Sequence, residues 1–371
     1  MENGITKKQS AVLQGVAILM MVYHHLFSFA VEYESLLPFV QADTARRIAW
    51  FCKLCVGIFA FVSGYGMYYV MKRQDRERFG RRLLAEYRES LLRIARLYGK
   101  LWLVLAIYMG IFFGLLKQPF MPEQFVGNLT ALDPTYNGAW WYVEQYVKIL
   151  LTLPLLDLLL THFEQPRQRR VKWTFFIVLA VAGVGAMAVG FIWWPELWEL
   201  LLALLKSMRI SFLLIAAVGY LTARYALYQR VDRRLRRLGG SWAPVCVSVV
   251  LLVFVVALRV HLATDAAYAR VDFLLTPLLV YGLLTLLYYV EPLCTFLAWW
   301  GRQSTYIWLV HGFVFGFLYY VVKPIVRLDI GVYLAVILAS AAVALPLRLL
   351  GNLLAGLPGR LYMFCKKRTQ K

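Results

Sequence analysis

AVLQGVAILMMVYHHLFSFAV, residues 11–31, contains no acid, no lysine and no arginine. At 1.5 Å of rise per residue, about 20 apolar residues in a helix cross a hydrocarbon core of about 30 Å. The stretch therefore reads as a transmembrane helix, and two imidazoles, His24 and His25, fall inside it.

The rest of the chain follows the same pattern. Its 371 residues are 61% hydrophobic and only 16% charged, too oily for a soluble globular domain of ordinary composition. Comparable stretches recur near 48–71, 97–116, 139–161, 173–194, 210–228, 242–262, 272–290, 303–322 and 331–350. The expected fold is all-α, a polytopic membrane bundle of about ten transmembrane helices. The connections are short, so residues 1–371 are expected to form a single membrane domain with no appended soluble domain. The first span is longer than a typical signal-peptide apolar region, and no clear small-x-small cleavage site follows it, so no removable leader is expected.

The formal net charge is +20, which on a water-soluble surface would suggest nucleic acid. Here the charges lie between spans. Alternating the loops from a cytosolic N-terminus puts 28 of the 40 Lys and Arg inside and 10 outside, with Lys100 and Lys148 within helices. The densest inside segments are KRQDRERFGRRLLAEYRESLLRIAR (72–96), PRQRRVK (166–172), RVDRRLRR (230–237) and the tail CKKRTQK. That asymmetry is the positive-inside rule, and it predicts both termini in the cytosol and a multi-pass protein of the cell (inner) membrane. The charge is topological, and nucleic acid is not an expected partner.

Other features are less specific. Cys52 and Cys55 form a lone CxxC with no second pair and no nearby His, so no metal site is expected. Aromatic clusters AWWY (139–142), IWW (192–194) and AWW (298–300) suit interfacial anchoring. Small residues in GVGAMAVG (183–190) suit close helix approach.

Ionisable side chains inside spans cost at least about 2.5 kcal/mol near the bilayer centre, so they usually face the bundle interior and mark function. The candidates are His24, His25, Lys53, Glu144, Lys148 and His311. A separation of 11 residues is about three helical turns, so Gln14 and His25 share a stripe, whereas His24 lies about 100° round the helix from His25. GRQSTYIWLVH puts Ser304 and His311 seven residues apart on one face of the ninth span. If both spans enter from the cytosol, His25 and His311 lie about 14 and 8 residues in and can meet across a shared cavity. Glu144 and Lys148 also stand at i,i+4, and a buried structural ion pair is the better reading of the two.

Six motifs in order resemble the acyltransferase-3 family of membrane acyltransferases. LQGVAILMMVYHH is similar to the family's first span, in which a His follows an Arg by eleven residues; here His25 takes the His position and Gln14 stands where the Arg is expected. VGIFAFVSGYGMYY (56–69), RIARLYGKLW (93–102), WYVEQYVKILLTLPLL (141–156), FLLIAAVGYLTARYALYQR (212–230) and WGRQSTYIWLVH (300–311) resemble later family segments. The resemblance implies transfer of an acyl group, commonly acetyl, from acyl-CoA to a hydroxyl of a cell-surface or lipid-linked glycan. Acetyl-CoA or another acyl-CoA is then a donor substrate, with no permanently bound cofactor, and the lipid bilayer and the glycan or lipid-linked sugar are the other partners. Some family members carry an added extracytoplasmic domain; this chain is expected to act by its membrane domain alone.

The chemistry suits the residues. A hydroxyl attacking a thioester needs a base near neutrality, and histidine's unperturbed pKa of about 6.5 fits that task. His25 is the expected general base in direct transfer, with an acyl-histidine intermediate as a variant. His311 would orient His25, polarise the carbonyl or protonate the departing sulfur. Arg93 and Arg96, with Lys100 one turn deeper, are of the type to hold the donor's phosphates beside Gln14; Lys7 and Lys8 are alternatives. Trp141, Tyr142 and Glu144 would line an acceptor cleft, and His24, Ser63, Tyr65 and Ser304 would shape the cavity. A transporter or flippase of lipid-linked sugars using the histidines as a proton relay is the alternative, and a non-catalytic scaffold a third reading. Oligomeric state is not legible.

Overall fold

A computed structural model describes residues 4–29, 35–37, 40–73, 79–164, 209–262, 265–322, 325 and 329–368. The predicted span at 173–194, with the small-residue run 183–190 and the 192–194 aromatics, lies outside the described residues. Among the described residues the regular structure is helical apart from one short antiparallel strand pair, β1 (Ser35–Leu37) and β2 (Val40–Gln41). Helix α1 (Lys7–Phe29) precedes the strands, and α2 (Ala42–Cys52), α3 (Leu54–Lys72) and α4 (Phe79–Met109) follow. A π-helical turn, Gly110–Leu115, extends α4 and leads to α5 (Pro122–Thr130). A 3-10 turn, Gly138–Trp140, opens α6 (Trp141–Glu164). The remaining helices are α7 (Ile210–Arg224), α8 (Leu227–Gly239), α9 (Ala243–Leu262), α10 (Asp265–Leu287), α11 (Glu291–Val322) and α12 (Asp329–Arg368).

Among the described residues, five helical stretches are long and apolar enough to cross a membrane, and α7 with α8, bent 62° to each other, makes a sixth if the pair is one span. Several boundaries differ from the hydropathy reading, each for a local reason. The second span is interrupted at Lys53, which separates α2 from α3. The third helix starts at Phe79, well before the apolar stretch, because RRLLAEYRESLLRIAR is polar but rich in strong helix formers. The ninth starts at Glu291, not 303, because Gly301, Arg302 and Gln303 lower local hydropathy without breaking the helix.

Two parallel helix crossings set the frame. A Cβ on Gly15 would sit 1.9 Å from the Leu297 carbonyl oxygen, and one on Gly301 would sit 1.8 Å from that of Ala11. α1 and α11 therefore touch backbone to backbone, which only glycine permits. The same device joins α3 to α7, where Gly64 faces the Ala216 carbonyl and Gly219 that of Phe61. The start of α6 is stapled to α11. Trp140 Nε1 and Asn137 Nδ2 donate to the Leu309 carbonyl at 2.9 and 3.0 Å, and Trp308 Nε1 donates to the Ala139 carbonyl at 2.9 Å.

Several buried charges among the described residues are paired. Asp157 of α6, 2% exposed, accepts from Arg82 of α4 and from Tyr220 and Arg224 of α7, the last at 2.6 Å. Arg82 also donates to Glu86 at 2.8 Å, so one carboxylate ties three helices together. Arg259 and Asp272, both buried, join α9 to α10 at 3.2 Å.

Candidate active site

The crossing of α1 and α11 decides where the histidines meet. Both helices run the same way from the Gly15/Gly301 contact, so equal steps along each reach the same depth. His25 lies about five turns in from Lys7, and His311 a little over five turns in from Glu291. The mismatch in depth expected from a ninth span starting at 303 is thereby removed. His25 Nδ1 is 2.7 Å from His311 Nε2, and the rings stack with centroids 4.9 Å apart.

The protons of this pair follow from its outer partner. His311 Nδ1 is 2.8 Å from the Trp308 carbonyl, which can only accept, so Nδ1 carries the hydrogen. With both rings neutral, His311 Nε2 is then an acceptor, His25 Nδ1–H donates to it, and His25 Nε2 carries the lone pair. A backbone carbonyl thus sets the tautomer of His25 through one intervening ring.

A cavity of about 950 Å³ opens beside His25, at the upper end of the 300–1,000 Å³ typical of ligand sites. Its lining brings together most of the residues singled out from sequence: Gln14, His24, His25, Ser63, Arg93, Arg96, Lys100, Trp141, Tyr142 and Ser304. Gln14 and His25 do share a stripe. Lys100 Nζ lies 5.6 Å from the Tyr306 ring centroid. Ser63 donates to the carbonyl of Phe59 in its own helix at 2.7 Å, and His24 Nδ1 bonds the Ala49 carbonyl of α2 at 2.7 Å. Both residues shape the wall while serving the helices around them.

Three residues fall outside the lining. His311 is buried behind His25. Glu144 pairs with Lys148 at 2.5 Å along α6, the structural alternative its spacing allowed. The Tyr65 hydroxyl accepts from the Ile5 amide at 2.8 Å, pinning the chain before α1. Lys8 pairs with Glu291 and also lies away from the cavity, whereas Arg93 and Arg96 line it together with Gln14.

The cavity also contains residues outside the sequence-derived site set. Tyr146 lies on α6 past Trp141 and Tyr142, and Trp308 lies on α11 one turn before His311. Tyr142 packs edge-on against both Trp308 and Phe212, with centroids 5.8 and 6.1 Å apart. Trp308 was findable, being four residues after Ser304 on the same face. Lys53 was visible as an ionisable residue in a span, but nothing local tied it to the histidines. Arg209 sits at a helix start and carries no periodic signal.

With this geometry in view, comparison with known families is decisive. A family model described as an acyltransferase domain matches residues 10–349. The chain belongs to the acyltransferase-3 family. That membership makes it an acyltransferase of multi-pass membrane type and favours the enzyme over the transporter reading. No curated protein and no solved structure matches the chain.

Proposed function

We propose that the protein is an integral membrane O-acyltransferase moving an acetyl or other short acyl group from acyl-CoA to a hydroxyl of a cell-surface or lipid-linked glycan. In this reading it crosses the cell membrane about ten times with both termini in the cytosol, as the positive-inside asymmetry supports. The observation that carries the mechanism is the Trp308 carbonyl–His311–His25 chain at the cavity wall.

The acceptor hydroxyl gives its proton to His25 Nε2 as its oxygen attacks the thioester carbonyl. The tetrahedral species collapses with loss of the thiolate, and the proton held on His25 passes to sulfur. His311 accepts from His25 Nδ1–H throughout, so it holds the ring in the required tautomer and offsets the charge that develops on it. It is a positioning residue, the role that its burial behind His25 supports over direct contact with substrate.

Arg93, Arg96 and Lys100 would hold the donor's phosphates, Arg as a two-pronged donor and Lys as a point charge. Gln14 supplies hydrogen bonds without charge where family members carry Arg, and the cations of α4 that line the same cavity supply the charge instead. Trp141 and Tyr142 would face the acceptor. The test is incubation of membranes with radiolabelled acetyl-CoA followed by analysis of lipid-linked and polymeric glycan. Label in glycan supports the reading; proton-coupled uptake of sugar into vesicles with no label transfer contradicts it.

A further inference from the structure

Five cationic side chains line the cavity, Lys53, Arg93, Arg96, Lys100 and Arg209, and among the described residues no carboxylate does. Three of the five ride on α4, and under the reading above the donor's phosphates account for them. Lys53 and Arg209 belong to a different wall. Lys53 stands in the break between α2 and α3 with Nζ 4.9 Å from the Trp50 ring centroid, and Trp50 in turn packs edge-on to His24, the neighbour of His25, at 5.7 Å. Arg209 precedes α7, its guanidinium carbon 4.0 Å from the centroid of Trp141.

The register of α3 and α7 brings these two cations within about one helical turn of each other in depth. The helices run parallel, with Gly64 against Ala216 and Tyr68 edge-on to Tyr220. Stepping back equally from either contact puts Arg209 level with Gly57, in the first turn of α3 and about one turn from Lys53, and both cations line the same cavity. Topology does not explain them, since both belong to the 10 Lys and Arg that the positive-inside pattern leaves on the sparsely charged side. Arg209 also adopts φ 42° and ψ 55°, a left-handed conformation that costs a residue with a Cβ about 1–2 kcal/mol. The fold accepts that cost at the residue whose guanidinium lies on Trp141.

Substrate chemistry assigns the pair to one ligand. In an acyl-CoA the thioester ends a long pantetheine arm and the phosphates lie at its far end. With the carbonyl at His25, those phosphates reach toward α4 and cannot also stand beside the base. An anion held near His25 therefore belongs to the other substrate. Resting on the acyl-transfer reading, we propose that Lys53 and Arg209 form an anion subsite for the acceptor, so that the acylated hydroxyl lies on a sugar unit bearing a carboxylate or a phosphate.

The test uses membranes containing the full chain, labelled acetyl-CoA, and four acceptors: a neutral glycoside, its uronate counterpart, a sugar phosphate and a lipid-linked sugar pyrophosphate. The wild type should prefer an anionic acceptor, and which one distinguishes a uronate from a phosphate source. Arg209→Gln and Lys53→Gln should each raise the KM for that acceptor about 10- to 100-fold, the usual worth of a charge-assisted hydrogen bond. The KM for acetyl-CoA should not change, Arg209→Lys should recover part of the loss, and Arg233→Gln on the exposed face of α8 should have no effect. A wild type indifferent to acceptor charge, or variants that raise the donor KM instead, would overturn the subsite while leaving acyl transfer standing. If wild-type membranes acylate none of the four, binding of labelled sugar phosphate and labelled uronate to the purified chain decides separately. Binding of either that is lost in Arg209→Gln upholds the subsite, and absence of binding by the wild type overturns it.

Discussion

At the scale of single residues, the site is a chain of three groups in which each fixes the next. The Trp308 carbonyl orients His311, and His311 orients His25. Removing the end of such a chain differs from removing its middle. His311→Ala should lower kcat about 10- to 100-fold with little change in either KM, as is usual for groups that orient a reacting ligand from behind. His311→Gln should recover much of that loss, because its amide oxygen can accept from His25 Nδ1–H. Steady-state kinetics on the two variants checks both, and equal loss in Ala and Gln would contradict the positioning role. Gln14→Arg, which restores the family's charge in a cavity already lined by Arg93 and Arg96, should leave the KM for acyl-CoA unchanged, because the α4 cations already supply that charge; a lowered donor KM would contradict that substitution of roles.

At the scale of elements, the site depends on backbone contacts remote from it. Gly301→Leu places side-chain atoms where the Ala11 carbonyl now lies, and helices in backbone contact cannot yield by rotamer change alone. The variant should insert but lose activity and melt lower, because separating α1 from α11 also separates His25 from His311. Asp157→Ala removes the carboxylate that Arg82 and Arg224 share, and because each keeps a second acid, Glu86 and Glu164, the expected loss is about 1–3 kcal/mol, below that of a fully broken buried pair. Thermal unfolding of the purified chain measures it; a loss under about 1 kcal/mol would mean that the three helices are held by apolar packing alone. The Gln14–His25 stripe was legible from spacing, since helical period alone fixes a face, whereas the residues of α4 and α6 were singled out by their type and place and by the family resemblance. The crossing that levels the histidines was not legible, because hydropathy hides the polar first turns of α11, and glycine contacts across nearly 300 residues leave no local trace.

At the scale of the whole molecule, the chain reads as a membrane bundle whose interior holds a cationic cavity walled by α1, α3, α4, α6, α7 and α11. Composition and the positive-inside pattern made the fold class legible, since both report on the bilayer as solvent. They could not report which cations face inward, because that depends on tertiary register, and Lys53 and Arg209 emerge only once α3 and α7 are paired. A Lys371→Cys variant in a background lacking the five native cysteines should react with a membrane-impermeant thiol reagent only after cells are opened; labelling of intact cells would invert the topology. The central claim is that the neutral imidazole of His25 takes the acceptor's proton, and the most direct measurement is the rate of acetyl transfer from labelled acetyl-CoA by membranes carrying His25→Ala beside the wild type at matched protein level. The account predicts a fall of at least about 10²- to 10⁴-fold with unchanged insertion and melting temperature, and transfer at the wild-type rate would contradict it.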